Sequence, residues 1–195
     1  MMKNSWLIIL LVIAAVLLFM GCGKYNNFVG KDEQVNEAWS KVESAYQSRA
    51  DLVPNLVNTI KGSADFERGT LTDVIEARAN ATSINLDAGD LTEENLAKFQ
   101  AAQSQLSGSL SRLLVAVERY PELRTTDQFR ELQSQLEGIE NRIRVERNRF
   151  NETATAYNTD IRTFPNSFFA SVFGFDRRAL FESDPGANKA PTVEF

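Results

Sequence analysis

The sequence predicts an all-α protein: an elongated antiparallel bundle of three long helices plus a short C-terminal helix, preceded by an N-terminal membrane helix or lipoprotein signal. Three observations carry this. Apolar residues recur at three- and four-residue steps through most of the chain. No stretch before the tail shows the alternation of β-branched residues that a strand needs. Polar turns and X-Pro pairs punctuate the periodic segments. The expected division is residues 1–23 as anchor or signal, 24–182 as helical bundle and 183–195 as an extended tail.

The first element is apolar without interruption from Trp6 to Met20, and Gly21 and Cys22 extend it to Lys24. A membrane-spanning helix needs roughly 20 such residues, with about 17 as the lower limit. Lys3 precedes the run, which fits a cytoplasmic N-terminus. Phe19-Met20-Gly21-Cys22 also resembles a bacterial lipoprotein box, in which Cys22, the one cysteine of the chain, would be lipidated. Both readings tether the protein to a membrane.

Helical periodicity begins at Asp32. Val35, Trp39, Val42, Tyr46, Leu52/Val53, Leu56 and Ile60 form the first stripe, and Leu71, Val74, Ile75 and Ala79 continue it. The pattern predicts one helix from Asp32 to about Asn80, bent at Pro54. Asn85 to Asp90 is a turn. The second helix runs from about Leu91 to Arg119, with Leu96, Phe99, Leu106, Leu110 and Leu113 in its stripe, and stops at Tyr120-Pro121. The third runs from about Asp127 to Arg162, with Phe129, Leu132, Leu136, Ile143, Phe150 and Tyr157, and stops at Phe164-Pro165. Gly108 and Gly138 mark either close helix crossings or weak points.

Composition narrows the chemistry. The 195 residues contain no His and one Cys, which removes the usual general base, His-ligated metals, Cys-rich zinc sites and intrachain disulfides. A net charge of −5 argues against nucleic acid as a partner. The sequence shows no EF-hand loop and singles out no carboxylate pair, so no catalytic residue, cofactor or metal ligand is assigned.

Several phrases together carry a resemblance: Asn36 to Ser40 (NEAWS), Arg49 to Val57 (RADLVPNLV), Lys61-Gly62, Ala77-Arg78, Ala116 to Leu123 (AVERYPEL), Leu136 to Arg142 (LEGIENR), Arg149-Phe-Asn151, Tyr157-Asn158, Phe164-Pro165 and Phe173-Gly-Phe175. Their order and spacing over nearly the whole chain resemble the LemA family of bacterial membrane-anchored proteins. The resemblance implies an N-terminal anchor and an elongated helical domain outside the cytoplasm. It brings no catalytic residue with it.

Two candidate sites follow from the residues. Arg49, Asp51, Asn55, Glu140, Asn141 and Asn151 are expected to form a polar network between helices, with Asn55 serving carbonyls freed at the Pro54 bend. Phe168, Phe169, Phe173 and Phe175 belong to an aromatic cluster that either plugs the bundle or meets a partner. With three long helices, that cluster should lie at the end far from the anchor, which favours a protein partner. The expected function is a non-enzymatic, membrane-tethered scaffold or adaptor of the bacterial cell envelope. The alternatives are a lipid- or envelope-stress-associated protein and a regulatory partner of a membrane protease. The expected partners are the membrane, through residues 6–22, and an envelope protein, with homo-oligomerisation left open.

Overall fold

A computed structural model describes residues 5–61 and 67–182. Regular structure among them is entirely helical: α1 (Ser5–Lys61), α2 (Arg68–Ser83), a 3-10 turn (Ala88–Asp90), α3 (Glu93–Val117), the single turn α4 (Pro121–Arg124), α5 (Asp127–Arg162) and α6 (Asn166–Phe173). The extended tail expected at 183–195 lies outside the described residues.

Helix α1 is 57 residues long, about 85 Å at 1.5 Å per residue. It begins in the apolar run, passes Gly21-Cys22-Gly23 without a break and continues through Pro54. Its core stripe reads Phe28, Val35, Trp39, Val42, Tyr46, Val53, Leu56 and Ile60, all buried. The spacing suits a helix gripped along one side by neighbours.

One expectation is overturned here. Asp32 to Asn80 is not one helix: α1 ends at Lys61 and α2 returns along it, so that Leu71, Val74 and Ala77 share a core with Leu56 and Ile60. The periodic signal crosses the reversal because both arms of the hairpin face the same core. Four long helices therefore replace the three expected. α3 then runs away from the anchor again, started by Thr92, whose hydroxyl accepts from the Asn95 backbone N–H. α5, capped by Thr126 in the same way through Phe129, returns toward the anchor against α1. Both caps satisfy an amide that the first helical turn leaves without a partner.

The core has two parts. Far from the anchor, α1, α2, α3 and α5 bury an aliphatic cluster that includes Leu56, Ile60, Val74, Leu106, Leu113 and Phe129. Nearer the anchor the cluster is aromatic, around Trp39, Phe99, Phe150, Tyr157 and Phe181. Each fully buried large apolar side chain contributes about 1.5–3 kcal/mol. Neither Gly108 nor Gly138 is a close crossing, since a Cβ built at either meets nothing within 4 Å.

The reversal after α1 also moves the aromatic C-terminus. α6 sits at the anchor end, not the far end. A Cβ at Gly21 would stand 3.5 Å from the Phe169 ring and 3.6 Å from that of Phe173. Tyr25 meets Phe173 edge-on at 5.3 Å between ring centroids. The expected placement at the end far from the anchor assumed three long passes; four bring the chain back to where it started.

Candidate functional site

The stripe of α1 that supplies Val42 and Tyr46 next supplies Arg49, a cation where the pattern calls for an apolar residue. Arg49 is 1% exposed. Its Nη1 donates to Glu140 Oε1 of α5 at 2.9 Å and to the Ser107 hydroxyl of α3. Its Nη2 donates to the Gln103 side-chain and backbone oxygens at 2.7 and 3.1 Å. Gln103 in turn donates to the Ala81 carbonyl at the end of α2. One guanidinium thus ties four helices where the aromatic and aliphatic cores meet. Its face lies 5.1 Å from the centroid of the Tyr46 ring. Nε is buried without a hydrogen-bond partner, so the buried charge is carried by the bonds at the two terminal nitrogens.

This cluster forms one wall of a cleft of about 550 Å³, whose rim carries Ser104, Arg144, Arg147 and Asn148 and whose far side is Phe181 and Glu182. The cleft is polar and of mixed charge. The Glu140 carboxylate in it is engaged by Arg49.

Of the six residues expected in one network, the structure brings two together. Arg49 and Glu140 pair as anticipated. Asp51, Asn55 and Asn141 are exposed and belong elsewhere: Asp51 accepts from Gln47 and Asn141 from Arg144, each on its own helix. Gln103 and Ser107 were missed as members of the network, because nothing in the α3 sequence names a partner for them. Repair of the Pro54 bend also falls to a different residue. Proline lacks an N–H, so the carbonyl four residues back, that of Ala50, loses its helical donor. Arg78 Nε of α2 donates to it at 2.7 Å.

Asn151 serves a second construction. Beyond the αL residue Gly174, where φ is +76°, the chain runs without regular structure along α5 to Glu182. Asn158 Nδ2 donates to the Arg178 carbonyl, and its Oδ1 accepts the Arg178 N–H, both at 2.8 Å. Asn151, two turns earlier, repeats the reciprocal pair with Phe181 at 3.0 and 2.9 Å. These carboxamides stand in for a neighbouring strand, which supplies the same donor and acceptor. Between them Tyr157 donates its hydroxyl to the Asp176 carbonyl at 3.0 Å. Burial, with the Asp32 carboxylate nearby, pushes the Tyr157 pKa up to about 12. Arg178 binds Asp32 of α1 through Nε and Nη2. Phe181, at the end of this strap, stacks on Trp39 and supplies the far side of the cleft.

Of the aromatic candidates, Phe169 is buried and Phe175 half-buried against Tyr25 and Phe28. Phe168 and Phe173 are exposed, as is Phe164. Cys22 is exposed on α1. Among the described residues no three His, Cys, Asp or Glu side chains group as metal ligands. Among the described residues one helix, α1, is long and apolar enough to cross a membrane.

The chain is 24% identical to magnetosome protein MamQ 2 of Paramagnetospirillum magneticum, over 96% of its length and 74% of that protein. It is 24% identical to MamQ of Magnetospirillum gryphiswaldense, over 85% of this chain and 67% of the relative. It is 20% identical to protein LemA of Metamycoplasma hominis, over 93% and 79%. The description that matches by family covers residues 38–195, from the Trp39 core through the α5 asparagines to the final residue. The chain belongs to the LemA family.

Proposed function

We propose that the protein is a non-enzymatic scaffold of the bacterial cell envelope, held in a membrane by residues 6–22, with its bundle outside the cytoplasm and the Arg49 cleft offered to a partner protein. The observation that carries this reading is the continuity of α1. The helix that is apolar from Trp6 to Met20, with Leu11, Val16 and Phe19 among its exposed residues, becomes the central core helix of the bundle with no linker between. Such a mounting holds the domain at a fixed height and orientation, which suits presentation of a surface. The cleft has hydrogen-bonding groups of both signs around its rim, as a polypeptide partner requires. Its Arg49–Glu140 pair is committed to holding helices together. The relatives' names state no reaction.

The test is photocrosslinking in intact cells from a reactive residue at Ser104 or Asn148 on the cleft rim, with Glu76 on α2 as an exposed control. A discrete protein captured at both rim positions and absent at Glu76 supports the scaffold reading and identifies the partner, a membrane protease and a second copy of this chain among the outcomes. Equal capture at all three positions, or none, overturns it.

A further inference from the structure

We infer that α6 is a second membrane contact, in which Phe164, Phe168 and Val172 enter the surface of the same bilayer that α1 crosses. The inference rests on reading α1 as a membrane anchor. It begins with the two faces of one short helix. Asn166, Phe169 and Ala170 turn inward and are buried. Phe168 and Val172, four residues apart, project from the other side and are 62% and 63% exposed, with Phe164 just before the helix at 90%. A soluble surface helix places polar residues there; α6 reads NSFFASVF and has only two serines to offer. An apolar surface this concentrated marks a contact with something else.

The level of α6 along α1 identifies that contact. Gly21 is buried beneath Phe169 and Phe173 although it belongs to the apolar run. The next residues on that side are Tyr25 and Phe28, which pack on Phe173 and Phe175. α6 therefore stands where the apolar segment gives way to Lys24, the depth of the headgroups. Amphipathic aromatic groups collect at this depth, and a helix with an outward apolar face lies in it. The surrounding charge fits. Lys31 neutralises Asp160 and Arg178 neutralises Asp32, which leaves Lys24, Arg162 and Arg177 against Glu33 and Asp176 in the segments at this end. The slight basic excess is compatible with anionic lipid. At Gly21 the anchor contributes no side chain of its own, and its backbone lies directly under the Phe169 and Phe173 rings.

The full-length protein tests this in vesicles of phosphatidylethanolamine and phosphatidylglycerol. In a Cys22→Ser background, an environment-sensitive fluorophore is attached in separate samples at Phe168→Cys, Val172→Cys, Ile13→Cys within the apolar run, and Ser111→Cys on distant α3. Lipids carrying a doxyl quencher near the headgroup or deep in the chains are then introduced. The expected result is blue-shifted emission at 168 and 172, losing about half its intensity to the shallow quencher and less to the deep one. The label at 13 is quenched by the deep lipid and that at 111 by neither. Quenching at 13 without quenching at 168 and 172 overturns the inference and leaves the anchor standing. A blue shift at 168 insensitive to both quenchers means a protein surface covers α6, and also overturns it. Absence of quenching at 13 removes the anchor and the inference together.

Discussion

Pro54 and Arg78 are 24 residues apart on different helices, and a double-mutant cycle shows whether one repairs the other. Ala50 is almost fully buried, so its carbonyl, left without a donor by Pro54, depends on the Arg78 Nε–H at 2.7 Å. Arg78→Met keeps the aliphatic stem and removes the donor. A stranded buried carbonyl costs about 1–3 kcal/mol; Arg78 is only half-buried, which places the expected loss near 1.5 kcal/mol. Pro54→Ala restores the helical N–H to the same carbonyl and is expected to stabilise, because an interior Pro is about 3 kcal/mol worse than Ala before any repair. In the Pro54→Ala background the carbonyl already has a donor, and Arg78→Met should cost only about 0.5 kcal/mol. The predicted coupling is therefore about 1 kcal/mol, or roughly 2–4 °C in Tm for a domain of this size. Urea unfolding of the detergent-solubilised full-length chain, followed by helical circular dichroism, measures all four corners. Equal costs of Arg78→Met in the two backgrounds, within the roughly 0.5 kcal/mol scatter of independent sites, would show that Arg78 acts through some other contact.

Three further outcomes follow from the site. Glu140→Ala strands the buried Arg49 charge and is expected to cost about 2–3 kcal/mol in urea unfolding, less than a fully buried pair because Glu140 reaches solvent; adding Arg49→Met should cost little more than Glu140→Ala alone, since it removes the stranded charge. Asn158→Asp keeps an acceptor for the Arg178 N–H but aims a second oxygen at the Arg178 carbonyl. Amide exchange at Arg178 and Phe181 should quicken by at least about tenfold, the equivalent of 1.4 kcal/mol, while the Leu106–Leu113 core keeps its protection. Tyr157 binds its proton more tightly folded than unfolded, with a folded pKa of about 12 against about 10 in the open chain. Its contribution is thus complete below pH 10 and is lost as pH rises from 10 to 12. Tyr157→Phe should lower stability by about 1 kcal/mol at pH 8 through the lost bond to Asp176, and should flatten the alkaline decline relative to the parent.

The helical class and most of the core were legible because burial on one side of a helix writes itself into spacing. Val35, Trp39, Leu106, Phe129 and Phe150 lie in the core as their periods required. Arg49 could be picked out as a cation inside an apolar series, and Glu140 as an acid in a polar phrase of α5. Its remaining partners could not, because nothing in the α3 sequence marks Gln103 or Ser107 as a partner of Arg49, and only the approach of α1 makes them acceptors. Asn151 and Asn158 were similarly ambiguous. A carboxamide beside an apolar stripe suits another helix or an extended backbone equally well, and the segment they hold has no periodicity to announce itself. Arg78 lacked any local signal, since its target is a carbonyl whose vacancy is created 24 residues earlier.

The error with the largest consequence was one of topology. A hairpin and a straight helix have the same apolar spacing when both arms face one core, so the stripe from Val35 to Ala79 could not reveal the reversal after Lys61. The composition near it, Gly62-Ser63 and Gly69, was the available hint, but Gly108 and Gly138 sit within unbroken helices and weaken any rule that reads Gly as a stop. Adding one pass changes the parity of the bundle, and parity decides which end the last helix reaches. With three passes the phenylalanines of α6 would stand farthest from the anchor, and exposure there would call for a protein. With four they stand over Gly21, and the same exposed rings meet the environment that residues 6–20 require. The chemistry of Phe164, Phe168 and Val172 is unchanged between the two arrangements; their neighbour is set by the number of times the chain turns before reaching them.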